Sequence, residues 1–145
     1  KAKKRGRSKD DWVPVLTVRD RAKNTYEAVV PSVTSATLHQ ELAGKLEKDS
    51  VLCSDGYKPY IALSEKNDLI HKRLDVAGGV KVIDKVFHIQ NVNAYHSRLK
   101  AWIKRFHGVA TKYLEHYLGW FRFMDNPENL NGNRLFSIQQ QLIRT

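Results

Sequence analysis

The 145-residue sequence is poor in cysteine and in acidic side chains, and it has no long apolar run. Cys53 is the single cysteine, and 15 aspartates and glutamates stand against 25 lysines and arginines. One thiol excludes an internal disulfide and a zinc site built from cysteines, and it fits a reducing compartment. No run reaches the roughly 20 apolar residues of a transmembrane helix, and the first residues lack a signal peptide's apolar core. These shortages favour a cytoplasmic protein that is not embedded in a membrane.

Common catalytic motifs are missing as well. The sequence has no Gly-x-Ser-x-Gly turn, no phosphate loop and no dinucleotide fingerprint, so nothing indicates a small-molecule substrate. Cys53 falls inside a predicted strand without an adjacent basic partner, which argues against a thiol nucleophile. The six histidines show no persuasive metal-ligand spacing, although His88 and His96 fall near the polar helix described below.

The chain has an excess of positive charge together with the hydrophobic content of a folded protein. Its net charge is +10, and 41% of its residues are hydrophobic, which predicts a globular domain that meets a polyanion, first of all nucleic acid. Residues 1–9 are the most basic stretch and read either as an arm that neutralises phosphates or as a solvated loop. The chain begins on this run without Met, so we expect further residues ahead of it.

The hydrophobic pattern predicts an α/β fold. Strands followed by helices, with both hairpin and crossover connections, indicate a mixed sheet with helices on its faces. We expect strands at residues 12–19, 25–30, 51–54 (buried on both faces) and 69–74, and helices at 34–46, 58–66, 92–106, 110–124 and 135–143. Three parts follow from this pattern: a basic arm or loop (1–11), a domain (12–124), and a C-terminal loop with a short helix (125–145).

Two places in this pattern carry chemistry. Asp55 follows the strand at 51–54, where open α/β sheets place ligands, although Asp-Gly also simply forms a turn and caps the next helix. Asn93 and Lys100 lie seven residues apart on one helix face, which suits a cation together with a phosphodiester, although a solvated face is the commoner explanation of such a pair.

The stretches HIQNVNAYHSRLK and GVATKYLEHYLGWFRF, with VPVLTVRDRAKNTYEAVV and VLCSDGYKPY upstream, resemble the catalytic region of ISXO-like bacterial insertion-sequence transposases. The resemblance implies an RNase H-like fold of the DDE superfamily over residues 12–124. It also implies an enzyme that cleaves DNA and transfers strands with two Mg²⁺ ions, or Mn²⁺, held by an Asp, a second Asp and a Glu or Asn.

The resemblance assigns roles to three residues. Asp55 matches the second Asp, Asn93 the helix ligand, and Lys100 the Lys that follows it by seven residues; Asn91 with Arg98 is the competing assignment. The family's first Asp lies on a strand ahead of the basic loop. Asp20 does not replace it, because the fold requires two strands between the first Asp and the helix before Asp55, and only one strand follows Asp20. We therefore expect the first strand to be missing here, and the chain alone to cleave DNA poorly.

The resemblance also implies partners. The expected partners are DNA at the ends of the insertion sequence and at the target site. The complete enzyme is expected to work as a homo-oligomer in association with the bacterial nucleoid. Non-enzymatic nucleic-acid binding and an inactive transposase remnant are the alternatives. The residues expected to hold flanking DNA are all basic: Lys1, Lys3, Lys4, Arg5, Arg7, Lys9, Arg98, Lys104 and Arg105.

Overall fold

The structure, a computed structural model, describes residues 12–75 and 78–126. The basic residues of the predicted arm and the predicted helix at 135–143 lie outside these ranges. The chain within them forms four strands and four helices, which confirms the α/β class. The elements are β1 (Val15–Arg19), β2 (Thr25–Val29), α1 (Ser35–Leu42), β3 (Val51–Ser54), α2 (Lys58–Lys66), β4 (Ile70–Arg73), α3 (Gln90–Lys104), a 3₁₀ turn (Thr111–Tyr113) and α4 (Leu114–Asp125).

Helix α1, at Ser35–Leu42, is shorter than the predicted helix at 34–46. It begins as expected, because the Thr34 hydroxyl caps it by accepting a bond from the Thr37 N–H at 3.2 Å. It ends at Leu42, because Ala43 leaves the helical conformation and Gly44 follows with a φ of +70°. Leu46, the last residue of the predicted helix, lies beyond α1 and still packs partly buried against the core.

The last helix also differs from the predicted span of 110–124. A 3₁₀ turn precedes α4. Tyr113 was expected on the apolar face of the predicted helix, but it lies in this turn and is half exposed. Asp125, expected in a loop, is the last residue of α4.

The described strands form two separate pairs and not the single mixed sheet that the sequence predicts. Strands β1 and β2 are antiparallel, from Val15↔Val29 to Arg19↔Thr25. Strands β3 and β4 are parallel, in register from Val51↔Ile70 to Ser54↔Arg73. No ladder joins the pairs within the described part of the chain.

One apolar core nevertheless lies under both pairs. Leu16 of β1 and Leu52 of β3 pack against the same two helices, α1 and α2, whose Leu38 and Leu63 are buried. The other face of β3 is less covered: Val51 is 38% exposed, so the expectation of a strand buried on both faces was wrong. Exposure falls along the strand from Val51 to the buried Ser54.

A second core lies on the opposite face of the β1–β2 hairpin. Val15 and Val29 point there because successive strand side chains alternate between faces. They pack against the buried side chains of α3 and α4, including Tyr95 and Phe121, whose ring centroids are 5.2 Å apart. The hairpin is therefore sandwiched between two helical layers, with α3 and α4 on one side.

This second core contains a buried acid. Glu27 is 8% exposed and lies opposite Thr17 in the hairpin. No hydrogen bond of ordinary geometry reaches its carboxylate from the described residues, although the Tyr95 hydroxyl and the Arg122 and Arg19 charges lie close enough to lower its pKa. Burial outweighs them and raises the pKa of Glu27, because the charged form loses its hydration.

We therefore expect Glu27→Gln to stabilise the protein at neutral pH. A folded-state pKa above the unfolded value means that stability is lost as pH rises through the interval between the two, and the neutral, isosteric amide removes that loss. Chemical unfolding at pH 5 and pH 7.5 measures it, with the exposed Glu65→Gln as the matched control. Destabilisation of Glu27→Gln at pH 7.5 relative to that control would contradict the assignment.

Candidate active site

The Asp55 carboxylate stands on a turn whose shape is set by glycine. Strand β3 ends at Ser54, and Gly56 takes a φ of +79°, which side chains with a Cβ rarely adopt. One Asp55 oxygen accepts a bond from the Tyr57 N–H at 3.2 Å, so the side chain does form the turn that the Asp-Gly pair predicts. Asp55 is exposed, and its second oxygen accepts no hydrogen bond from the described residues.

Ser54 and His71 fix this turn from below. The buried Ser54 hydroxyl accepts a bond from the Gly56 N–H at 3.2 Å and lies 2.8 Å from His71 Nε2. Burial, with the charge of Arg73, lowers the pKa of His71. We therefore assign a neutral imidazole whose Nε2 accepts the Ser54 proton, an arrangement that ties the end of β3 to β4.

Asn93, His96 and Lys100 form one stripe on the outer face of α3. Asn93 lies in the first turn of the helix, where its backbone carbonyl accepts a bond from the Ser97 hydroxyl at 3.0 Å. The Asn93 and Lys100 side chains are exposed, and neither forms a hydrogen bond or ion pair within residues 12–75 and 78–126. His96 is half-buried between them, and burial together with the Lys100 charge lowers its pKa.

The segment that enters α3 is held to both strand pairs. Arg21, after β1, donates a bond to the Val86 carbonyl at 3.2 Å, and Lys72 of β4 pairs with Asp84 at 2.9 Å. The two cations flank the Phe87 ring, at 5.6 and 5.1 Å from its centroid. The start of α3 is therefore anchored to the neighbour of the strand that carries Asp55.

These anchors do not join the three expected site residues directly. Within the described residues no hydrogen bond or ion pair connects Asp55 with Asn93 or Lys100. The expected DNA contacts Lys104 and Arg105 lie exposed at the end of α3.

The competing pair, Asn91 with Arg98, has a different environment. The Arg98 guanidinium binds both oxygens of Asp125, at 2.7 and 2.9 Å, and these bonds raise its pKa. Arg98 is thus committed to a structural ion pair, whereas Lys100 keeps its ammonium in solvent.

The donor atoms of Asp55 and Asn93 are of the type that Mg²⁺ prefers. A carboxylate and an amide carbonyl are hard oxygen ligands, and Mg²⁺ retains several waters beside one or two protein ligands. Among the described residues no group of three His, Cys, Asp or Glu side chains is placed to hold a metal. Each of the two residues therefore offers a ligand atom of the type that a hydrated hard cation takes.

Sequence reasoning missed the support of the turn and misjudged Cys53. Pairing residues 51–54 with 69–74 in parallel would have placed His71 beside Ser54, but no motif marks the two residues. Cys53 does have basic neighbours: Arg21 and Lys72 act to lower its pKa, although burial outweighs them and raises it. The raised pKa still argues against a thiolate nucleophile.

Comparison with known proteins gives one family match and one relative. A family model described as an ISXO2-like transposase domain matches residues 1–126. A Haemophilus influenzae protein described as an uncharacterized transposase-like protein is 24% identical over 119 residues, which cover 82% of this chain and 93% of that protein. No solved structure matches. Within the described residues, no helix is long and apolar enough to cross a membrane.

The lowered pKa of His71 predicts a pH-dependent loss of stability. Because the folded-state pKa lies below the unfolded value of about 6.5, the unfolded chain takes up the proton first as pH falls, and stability drops below that value. The drop in unfolding free energy between pH 7.5 and 5.5 should be smaller in His71→Gln than in the parent, and unchanged in the exposed control His116→Gln. An NMR titration that places the His71 pKa above 6.5 would refute the neutral assignment.

Proposed function

Because the chain belongs to the family of ISXO2-like transposase domains, we propose that it is the catalytic domain of an insertion-sequence transposase. Its activity is metal-dependent cleavage and rejoining of DNA strands. The observation that supports this most is that an exposed carboxylate, Asp55, stands on a hydrogen-bonded turn at the end of β3, while an exposed amide and ammonium, Asn93 and Lys100, share one face of α3. A net charge of +10 supports DNA as the substrate.

Each residue has a separate task in this proposal. Asp55 and Asn93 hold Mg²⁺ through oxygen atoms, and Lys100 binds a phosphate oxygen next to the bond that breaks. The chemistry that bound Mg²⁺ supplies is Lewis acidity toward the attacking and leaving oxygens of the phosphodiester. The Gly56 turn and the Ser54–His71 bond hold the Asp55 carboxylate in place, so that little reorganisation is needed when DNA binds.

We further propose that the fold is RNase H-like, with one strand between β1 and β3. The Pro14 carbonyl accepts a bond from the Val30 N–H, and the Asp20 N–H donates one to the Asn24 carbonyl, so even-numbered residues bond toward β2. The odd-numbered residues of β1 therefore turn their backbone groups to the edge away from β2. The Ser54 carbonyl accepts a bond from the Leu74 N–H, so the alternate residues of β3, Val51 and Cys53, likewise turn their backbone groups away from β4. One strand bonded to both of these edges would give a single mixed sheet over the shared core. In the family this strand carries the first Asp.

One alternative is a nucleic-acid-binding module without catalysis. The charge of the chain fits it, as does the lack of a group of three metal-binding side chains among the described residues. Such a module would bind DNA equally well in the presence and absence of Asp55.

Paramagnetic Mn²⁺ tests the metal site independently of catalysis. We expect Mn²⁺ to broaden the backbone NMR signals around residues 54–57 and 91–97. Asp55→Asn should abolish the broadening, whereas Asp68→Asn, which removes an exposed carboxylate from another turn, should leave it intact. Broadening confined to other residues, or retained in Asp55→Asn, would contradict the site.

The two asparagines provide a matched pair for the helix ligand. In the complete transposase Asn93→Ala should lower Mg²⁺-dependent strand cleavage on the order of 10²-fold or more, since even groups that only orient metal ligands cost 10- to 100-fold. Asn91→Ala should cleave as the parent does. DNA affinity should change in neither variant. Equal loss in both, or loss only in Asn91→Ala, would exclude Asn93 from the site.

A further inference from the structure

A polar cavity lies away from Asp55 and Asn93, between the β1–β2 turn and the last turn of α4. Its volume is about 390 Å³, within the range of small-ligand sites. The lining residues are three cations, three amide or hydroxyl side chains, a glycine and an aromatic residue: Arg19, Lys23, Arg122, Asn24, Thr25, Asn126, Gly119 and Phe123. No carboxylate lines it, which sets it apart from an ordinary mixed-charge surface.

The acidic groups around the cavity are already engaged. The Asp125 carboxylate binds Arg19 at 3.1 Å and Arg98 at 2.7 Å, so two guanidinium groups neutralise one negative charge. Asp20 accepts bonds from the Asn24 backbone N–H and side-chain amide, at 2.8 and 2.7 Å. Glu27 lies buried near Arg122, whose charge acts to lower its pKa, but no ion pair joins the two within the described residues.

The charges of Lys23 and Arg122 are therefore left for a ligand. Neither side chain forms a hydrogen bond or ion pair in residues 12–75 and 78–126, and both are exposed at the cavity rim. The C-terminus of α4 opposes an anion with about half a negative charge, but two full positive charges outweigh it.

The third cation of the lining, Arg19, is held in place by several contacts. Arg19 is 6% exposed, donates a bond to the Thr25 hydroxyl at 2.8 Å and lies 4.7 Å over the Tyr95 ring. Gly119 leaves the helical floor open, since a Cβ built there meets no atom within 4 Å. A group that enters the cavity would thus meet a guanidinium already held in place by its own contacts.

We propose that this cavity binds a phosphate group of the DNA backbone, on a contact separate from the proposed metal site. Lys23 and Arg122 bind its oxygens from the rim, and the cavity receives it between the hairpin turn and α4. The phosphate chemistry follows from the cavity itself, whereas its source in DNA rests on the proposed function. The contact would fix the register of the duplex on the domain, as backbone contacts do in protein–DNA complexes.

The first arm of the test uses inorganic phosphate. Adding it should shift the NMR signals of residues 23–25 and 119–122 in the parent, and Gly119→Leu, which fills the cavity, should remove the shifts. Gly119→Ala is the control for the helix, because its Cβ meets no neighbour. Acetate at the same concentration should leave these signals unchanged; equal shifts would show a general anion site and overturn the assignment.

The second arm measures the salt dependence of duplex DNA binding. Arg122→Gln and Lys23→Asn should each reduce the log–log slope, by up to about 0.9, the value for complete loss of one phosphate contact. Lys66→Gln, which removes an exposed charge from α2, should not. Asn is chosen at residue 23 because it accepts the φ of 70° there. Thermal unfolding of each variant verifies the fold, and Gly119→Leu tests the cavity without removing a charge.

The arms separate this proposal from the proposed function. If phosphate shifts the cavity signals but the three variants bind DNA with the parental slope, the cavity does not hold a DNA phosphate and the proposal fails. If the parent itself does not bind DNA, the proposed function fails with it. If cleavage still depends on Asp55 while Arg122→Gln and Gly119→Leu change nothing, the cavity proposal alone is overturned.

Discussion

One carboxylate holds the second half of the molecule together. Asp125, the last residue of α4, binds Arg19 at the end of β1 and Arg98 in the middle of α3, and its side chain is 8% exposed. The bonds to Arg98 are bidentate, a geometry that fixes orientation as well as distance. Arg19 and Asp125 are both buried, and removing Asp125 would leave the Arg19 charge without a partner, a change that typically costs about 3–5 kcal/mol in a buried pair. Three elements distant in sequence thereby acquire one relative position.

This constraint decides which face of α3 is available for function. Tyr95 and Leu99 point into the core and Arg98 to Asp125, so the stripe of Asn93, His96 and Lys100 is turned outward. The two halves of the molecule then differ in what they contain. The core beneath α1 and α2 is apolar, whereas the one beneath α3 and α4 encloses Glu27 and the Tyr95 hydroxyl.

The order and type of the elements could be predicted from the sequence, because they depend on local periodicity. The strand at 51–54 and the helix at 58–66 have the predicted bounds, and the helix predicted from residue 34 is capped by Thr34. The joining of the strands depends on long-range hydrogen bonds, which periodicity does not specify; hence the single sheet was expected and two pairs are found. The family resemblance, confirmed by the match over residues 1–126, identified Asp55, Asn93 and Lys100 as candidates.

The supporting polar contacts were beyond prediction for the same reason. Arg98 and Asp125 are 27 residues apart, and nothing in a single sequence distinguishes an arginine that will meet DNA from one that will meet a carboxylate. The excess of positive charge therefore has two uses in this fold. Arg19 and Arg98 are buried against or bonded to Asp125 and set the geometry, while Lys23, Lys100 and Arg122 remain directed to solvent. It is this division, and not the net charge, that determines where a polyanion can bind.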